Sequence, residues 1–515
     1  MEKYSKVSIN QFYGIELESF PVEVARVSMW LMEHVMNKRF GVLIGEVIPS
    51  IPLKHCAHII CANALTTNWE NVIPASDLSF IFGNPPFSGS QTMTKEQKQE
   101  IRSLYEGSSL AGAIDYVSGW YAKAREIWQQ NQKITIAFVS TNSICQGRQV
   151  APIWAPIFGA GMQIHFAHQT FKWTNEAKNN AGVYCVIVGL GARTSSATLF
   201  QYDDVRAEPS RLIVSQINGY LFDGNPRLFV QESSRPLSAN KKASFGNMPN
   251  DGGNLIINAE DLEQFAQISS LLPYIKKLVG SRELLHNQPR YCLWLTNAPD
   301  SIKQIPIVAD RIEQCRQTRL ASKDPGCNRL AERAHEFRDL NNPETAIVIP
   351  RVSSERREYI PMDFVGSDVI STDANHIVPN GTLYDFGILE SRMHMTWMRT
   401  VCGRLKSDYR YSRDLCYNTF AWPKVSDNQR ALIANLAENI LMTRALHPDM
   451  TLAELYDPDK MPADLRKAHC ELDVAVEKLY RRKPFANDEE RLAHLFKRYE
   501  KLVNGEDDSN LFNEA

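Results

Sequence analysis

Leu78-Ser79-Phe80-Ile81-Phe82-Gly83-Asn84-Pro85-Pro86-Phe87 decides how the first part of the chain folds. It opens as a short apolar run and stops on a glycine, an asparagine and two prolines, the pattern of a buried strand ending in a stiff loop. Outward from it the same texture repeats. Residues 11–17 read as a strand ending in the acid Glu16, and residues 58–63 and 134–139 as further buried strands. Residues 183–189 read as a late strand. A helix-period run from Pro21 to about Asn37 offers Val24, Ala25, Val27, Met29, Trp30 and Leu31 for burial, and an amphipathic helix falls around residues 113–129. Short apolar strands alternating with helices predict an α/β fold with a mostly parallel sheet covered on both faces. Such sheets bind ligands at the carboxyl ends of their strands, which is where Glu16, Asn63 and Asn84 fall.

Asn84-Pro85-Pro86-Phe87 supplies, in order, the parts needed to methylate an exocyclic amine. The amino nitrogen of adenine is a poor nucleophile because its lone pair is delocalised into the ring. Two acceptors aimed at its hydrogens draw the nitrogen towards a tetrahedral shape and localise that pair. The Asn84 side-chain oxygen and the Pro85 carbonyl suit this task. Pro86 restricts Pro85 to an extended conformation, and Phe87 can stack on an extruded base. The same residues also suit a plain turn closing a strand. Glu16 can take both ribose hydroxyls of a nucleoside, or act as a solvated helix-capping acid. Asn63 can hydrogen-bond an adenine edge, or close an Asx turn.

The chain has 515 residues, too many for one core, so two or three domains are expected. We place them at residues 1–195, 196–425 and 426–515. In the second, prolines, glycines and arginines rise and periodic segments thin out, and Asn250-Asp251-Gly252-Gly253-Asn254 is a strong turn signal. The third is helical, over 428–445, 462–480 and 488–503. A formal net charge of -2 means that any nucleic-acid surface is a local patch. The ten cysteines include no C-x-x-C pair, so no metal site is expected and buried thiols of a reducing cytosol fit better. No signal peptide and no bilayer-length apolar stretch is found. A cytoplasmic protein without a membrane partner is the expectation.

Longer strings carry a resemblance. In the first part they are Phe12-Tyr13-Gly14-Ile15-Glu16, Asn63-Ala64-Leu65, Gly83-Asn84-Pro85-Pro86-Phe87, Ile114-Asp115-Tyr116-Val117, and residues 138–144 and 171–177. In the second they are Ile217-Asn218-Gly219-Tyr220-Leu221 and residues 290–295, 350–361, 391–397 and 403–412. Across nearly all of its length the chain resembles the MmeI-like restriction-modification enzymes. The resemblance implies a class I methyltransferase-like, mostly parallel but incomplete sheet. A mixed α/β target-recognition domain and a helical C-terminal domain follow it. It also implies transfer of a methyl group from S-adenosyl-L-methionine to the N6 amino group of adenine in double-stranded DNA. Carried over position by position, Glu16 and Asn63 resemble the cofactor ligands, Asn84 and the Pro85 carbonyl the amine acceptors, and Phe87 the stacking aromatic. Phe171 or Trp173 is expected to clamp the other face of the base.

The family carries a nuclease domain, a helical connector and a Gly-rich cofactor loop ahead of the strand that ends in Glu16. Here only a short segment precedes that strand. The expectation is a sheet lacking its first strand, no DNA cleavage, and dependence on a separate N-terminal segment or chain. A misplaced gene start or a decayed fragment would account equally for this departure. Among the expected DNA readers, Arg351, Arg356 and Arg357 flank Glu355 and Glu358, a pattern shared with an ion-paired surface strand. Arg404, Lys406, Asp408 and Arg410 alternate and would share one face of an extended segment. In the resembling family this neighbourhood varies with the DNA sequence recognised, which points to Lys406 and Asp408 as base readers. His394 is expected to be a packed polar residue. Two competing readings are a DNA-recognition module without catalysis and a methyltransferase acting on a glutamine amide of a protein. The arginine-rich second part argues against the latter.

Overall fold

The computed structural model describes residues 6–45, 56–173, 183–202, 208–288, 290–405 and 407–506. It divides into two compact units, residues 1–145 with 149–229, and residues 146–148 with 230–515.

The first unit is α/β. It opens with β1 (Tyr13–Glu16), α1 (Ser19–Ile44) and β2 (His58–Cys61), the two strands paired in parallel. Helix α1 runs past the expected end near Asn37. Nothing breaks it before Gly45, which caps it in the left-handed conformation with φ 72°. Then come β3 (Phe80–Gly83), α2 (Lys95–Leu104), α3 (Ser118–Trp128), β4 (Thr135–Thr141), α4 (Val150–Gly159), β5 (Gln163–Trp173), β6 (Val183–Gly191), β7 (Ala197–Gln201) and β8 (Ser210–Val214). The last six strands form one sheet in the order β3-β4-β6-β5-β7-β8. In it β3, β4, β5 and β7 run one way, and β6 and β8 are reversed. Alternation along β4 buries Ile136, Phe138 and Ser140. Tyr121 and Trp154, from α3 and α4, complete that core with edge-on ring contacts.

Two strands expected to be buried are not. Among the described residues β1 and β2 pair only with each other, and β3 has only β4 as a neighbour. Phe80 and Phe82 share one face of β3 and are 67% and 72% exposed. On β2 only Ile59 is buried. Helix α1 is accordingly half covered. Val22, Ala25 and Met29 pack with Ala57 and Ile59, whereas Val24, Val27 and Leu31 face solvent. Among the described residues the strands of this unit stand as a two-stranded and a six-stranded sheet.

The second unit is mixed α/β followed by helices. Ile256–Ile257, Arg290–Leu293, Ile275–Val279 and Val369–Ser371 form one four-stranded sheet, in that spatial order. Asp363–Gly366, Thr345–Pro350, Asn375–Pro379 and Ser244–Phe245 form another, and Val352–Ser353, Asp408–Arg410 and Gly403–Leu405 a small third. The turn expected at residues 250–254 is present. Asn250, Gly252 and Gly253 have positive φ, and the Asp251 carboxylate accepts from the Gly253 and Leu255 N–H groups. The C-terminal helices span Asp427–Ala445, Ala463–Tyr480 and Asp488–Asn504. Ser426 and Gln429 cap the first reciprocally, and Asn487 caps the last.

Buried polar groups in this unit are networked. The Arg444 guanidinium meets Glu390 at 3.0 Å, donates to the Met362 carbonyl at 2.7 Å and to the Tyr456 hydroxyl at 2.9 Å. Burial pushes the Glu390 carboxyl up to about 7, against the pull of Arg444. Burial also pushes Asp473 up to about 7, although the Tyr359 hydroxyl and the Arg392 N–H bond to it. His394 is packed, as expected, with Nε2 2.8 Å from the Tyr411 hydroxyl. Burial brings His394 and His376 down to about 3 each and holds His469 well below 6.5.

These shifts predict how stability varies with pH. A histidine with a lowered folded pKa contributes stability that is full above 6.5 and is lost as pH falls towards 3. A carboxyl with a raised folded pKa contributes stability that is full below about 4 and is lost as pH rises towards 7. Near pH 5 the three histidines, protonated only when unfolded, outweigh the two carboxyls, protonated only when folded, and the two effects come into balance as pH approaches 6.5. Stability of the second unit should therefore rise with pH from about 5 and level off towards 6.5. Calorimetric Tm values measured across this range check the sign, and a Tm that falls with rising pH contradicts it.

Candidate active site

Strand β3 delivers Asn84 directly after Gly83. Asn84 is exposed, and among the described residues its side chain has no hydrogen-bond partner. Pro85 is buried and Phe87 half-buried. The loop is braced from behind. The Tyr116 N–H donates to the Ser88 carbonyl at 2.9 Å. Asp115 Oδ1 accepts from the Ser90 N–H at 2.8 Å, and Oδ2 from the Ser143 hydroxyl at 2.6 Å. The Ser143 and Thr141 hydroxyls lie 2.8 Å apart at the end of β4.

Sheet register carries this edge to β5. Gly83 pairs with Phe138 in parallel, so Asn84 and residues 141–143 leave the sheet on the same side. Thr141 pairs with Cys185, and Cys185 with Phe171. Phe171 thus stands on that edge two strands beyond β4. Its ring stacks on Tyr202 at 5.6 Å and meets Trp173 at 6.2 Å. Trp173 keeps more free surface, at 38% exposure. The rest of the string 171–177, from Thr174 onward, lies outside the described residues.

Glu16 ends β1 opposite Cys61, so Glu16 and Asn63 sit at the same end of the parallel pair. Glu16 Oε1 takes the Leu17 N–H at 2.8 Å, and Oε2 has no partner among the described residues. Asn63 closes an Asx turn by accepting from the Leu65 N–H at 2.9 Å, and donates to Glu100 Oε1 at 2.8 Å. Glu100 Oε2 accepts from the Tyr116 hydroxyl at 2.5 Å. A continuous chain of bonds therefore joins Asn63, through Glu100 and Tyr116, to Ser88 behind the Asn84 loop.

Asp115 and Ser143 lie in the strings that carry the resemblance, but the sequence reading gives no role to them or to Glu100. For Asp115 a signal was available, since it is one carboxylate within the otherwise apolar or aromatic residues 111–117. A buried carboxylate is costly unless hydrogen-bonded, so such a placement demands partners. For Glu100 and Ser143 no local signal exists, because their partners are distant in sequence.

The expected DNA readers fall into different environments. Arg351 donates to the Asp373 carbonyl at 2.7 Å and lies over the Phe245 ring at 5.2 Å. Arg356 is ion-paired with Asp459, and Glu358 with Arg466. Arg357 donates to the Ser353 hydroxyl at 3.2 Å. The ion-paired reading thus holds at 356 and 358, in a turn rather than a strand. Residues 404–410 are not one extended segment with one charged face. Gly403–Leu405 and Asp408–Arg410 are the arms of a hairpin, with Arg404 opposite Tyr409 and Leu405 opposite Asp408. The antiparallel pairing, with Leu405 opposite Asp408, sets which residues share a face. Arg404 shares a face with Tyr409 and lies 4.0 Å over its ring, while Asp408 and Arg410 take the other face. Arg410 is exposed, and Lys406 lies outside the described residues.

Comparison with known proteins agrees with this architecture. The family model described as MmeI, DNA-methyltransferase domain, matches residues 1–201. Those for the MmeI target recognition domain and C-terminal domain match residues 224–424 and 425–505. The chain belongs to the MmeI family. It is 42% identical over 504 residues to DNA methyltransferase A of Bacillus subtilis (strain 168), a match covering 96% of this chain and 56% of that protein. It thus spans a little over half the length of that curated relative. It also matches the solved structure of the Type IIL restriction-modification enzyme MmeI in complex with DNA. There the TM-score is 0.86 and the identity 39%, covering 98% of this chain and 68% of that one. No helix among the described residues is long and apolar enough to cross a membrane.

Proposed function

We propose that this chain methylates the N6 amino group of adenine in double-stranded DNA, at a sequence read by residues 196–425. S-adenosyl-L-methionine is the donor, within a cytoplasmic restriction-modification system. The observation that carries the reading is Asn84, an unengaged amide at a strand end in a loop braced by Asp115 and Tyr116. Family membership supports it. In this reading the Asn84 oxygen and the Pro85 carbonyl accept the two N6 hydrogens and localise the nitrogen lone pair. Phe87 stacks on the extruded base, and Trp173 or Phe171 closes the other face. The nitrogen sheds one proton to solvent, to which Asn84 is open.

The residues present fit the nucleoside half of the donor. Glu16 Oε2 is open for a ribose hydroxyl, and the Asn63 oxygen keeps a second lone pair for an adenine amine. When bound, the donor supplies an electrophilic methyl group. Asn63 would orient its nucleoside while tied, through Glu100 and Tyr116, to the loop that holds the acceptor. Among the DNA readers, Asp408 and Arg410 on the open face of the hairpin are proposed to reach base edges, together with Lys406. Arg404 is proposed to support the hairpin through Tyr409, Arg351 to contact backbone phosphate, and Arg356 and Arg357 to shape the neighbouring turn.

The edges of β1 and β3 have no further strand partner among the described residues, which raises a second reading. In it the chain recognises DNA and depends on a separate N-terminal segment or chain for methylation. Titrating S-adenosylmethionine into the purified chain by calorimetry separates the two. The first reading predicts binding that weakens by about tenfold or more in Glu16→Ala, from loss of charge-assisted bonds. No detectable heat with either protein leaves the second.

A further inference from the structure

We propose that Asp115 is a positioning residue for the Asn84 loop, a role that rests on the methyl-transfer reading above. The residue is 8% exposed, and each carboxylate oxygen holds a different element. Oδ1 takes the Ser90 N–H, shortly after Phe87, and Oδ2 takes the Ser143 hydroxyl, just beyond β4. The backbone around it completes the brace. The Asp115 N–H donates to Gln149 Oε1 at 2.8 Å, at the start of α4, and the Asp115 carbonyl accepts from the Ser118 hydroxyl at 2.7 Å. The Tyr116 N–H holds the Ser88 carbonyl.

The loop needs such a brace for two reasons. Strand β3 has a neighbouring strand on one flank only among the described residues, so the sheet fixes the loop from one side. Pro85 and Pro86 carry no N–H and cannot donate a tether from their own backbones. Ser88 and Ser90 are the anchor points beyond Phe87, and Asp115-Tyr116 holds both. Bonds to a carboxylate are about twice as strong as neutral ones, which suits a single side chain joining the β3 loop to the end of β4. Asp115 is placed to set where the Asn84 oxygen stands without touching the reacting atoms.

The test compares the full chain with Asp115→Ala, Asp115→Asn and Ser143→Ala. Hydrogen exchange is read on the peptide covering residues 84–92. Methyl transfer is read from labelled S-adenosylmethionine to DNA of an unmethylated host. Asp115→Ala should speed exchange across 84–92, with peptides of α3 and β6 unchanged. It should lower kcat about a hundredfold while KM for DNA stays within about twofold, the signature of a displaced reacting group. Asp115→Asn keeps an acceptor for the Ser90 N–H and should recover part of the rate. Ser143→Ala, which leaves that bond intact, should fall between, and both serve if the alanine variant does not fold. Unchanged exchange at 84–92 overturns the brace. Faster exchange with an unchanged kcat overturns its part in positioning. A wild-type chain without methyl transfer defeats the underlying reading of the site instead, and the exchange comparison still decides whether Asp115 holds the loop.

Discussion

Asn84→Ala lowers methyl transfer to DNA by at least about a hundredfold in kcat, the scale of removing one preorganised polar group from a reacting centre. DNA affinity stays as in the wild type. The expectation follows from the placement of Asn84 at the end of β3, exposed and unengaged by the described residues. The side chain does no structural work there, so its removal should leave Tm unchanged. Asn84→Asp keeps two acceptor oxygens in the same place and should retain more activity than the alanine variant. Transfer of labelled methyl groups under single-turnover conditions reads both. Equal rates in the wild type and Asn84→Ala would remove Asn84 from the chemistry.

Above pH 7, where Glu390 is ionised, Arg444→Met destabilises the second unit by about 3–5 kcal/mol, because it leaves Glu390 buried without its cation. Glu390 is almost fully buried, at 1% exposure, and its carboxyl joins Arg444 with the Met362 N–H. Tyr456 and His469 extend the network from the Arg444 side, 2.9 Å apart. The double variant Glu390→Leu with Arg444→Met removes both charges and should recover most of the loss. Denaturant unfolding of the full chain gives both values. A single variant no less stable than the double one would contradict a buried, mutually dependent pair.

Much of the fold was legible because it rests on local chemistry. The helices expected over 428–445 and 488–503 match the observed ends within a residue or two, where Ser426 with Gln429, Asn487 and Gly505 cap them. The alternation of β4 and the Gly83-Asn84-Pro85-Pro86 stop announce the strands that flank the loop. What was not legible depends on long-range pairing. Phe80 and Phe82 look like core residues, and only the absence of a strand beside β3 among the described residues exposes them. Arg404 and Asp408 look like neighbours on one face, because alternation continues in sequence although the strands that carry them pair antiparallel. Arg356 and Glu358 look free to meet DNA, because their partners Asp459 and Arg466 lie about a hundred residues away. At the candidate site the strand ends were readable one by one. The bonds joining them through Glu100 and Asp115 belong to the folded sheet and helices.

The base that carries the methyl group is the decisive readout. The full chain is expressed in a host without DNA methylation of its own, and the host DNA is digested to nucleosides and resolved by mass spectrometry. N6-methyladenine is expected, confined to one adenine of a single recurring sequence and absent when Asn84→Ala is expressed instead. Methylated cytosine, or DNA left unmodified by a chain that still binds it at a defined sequence, would contradict it.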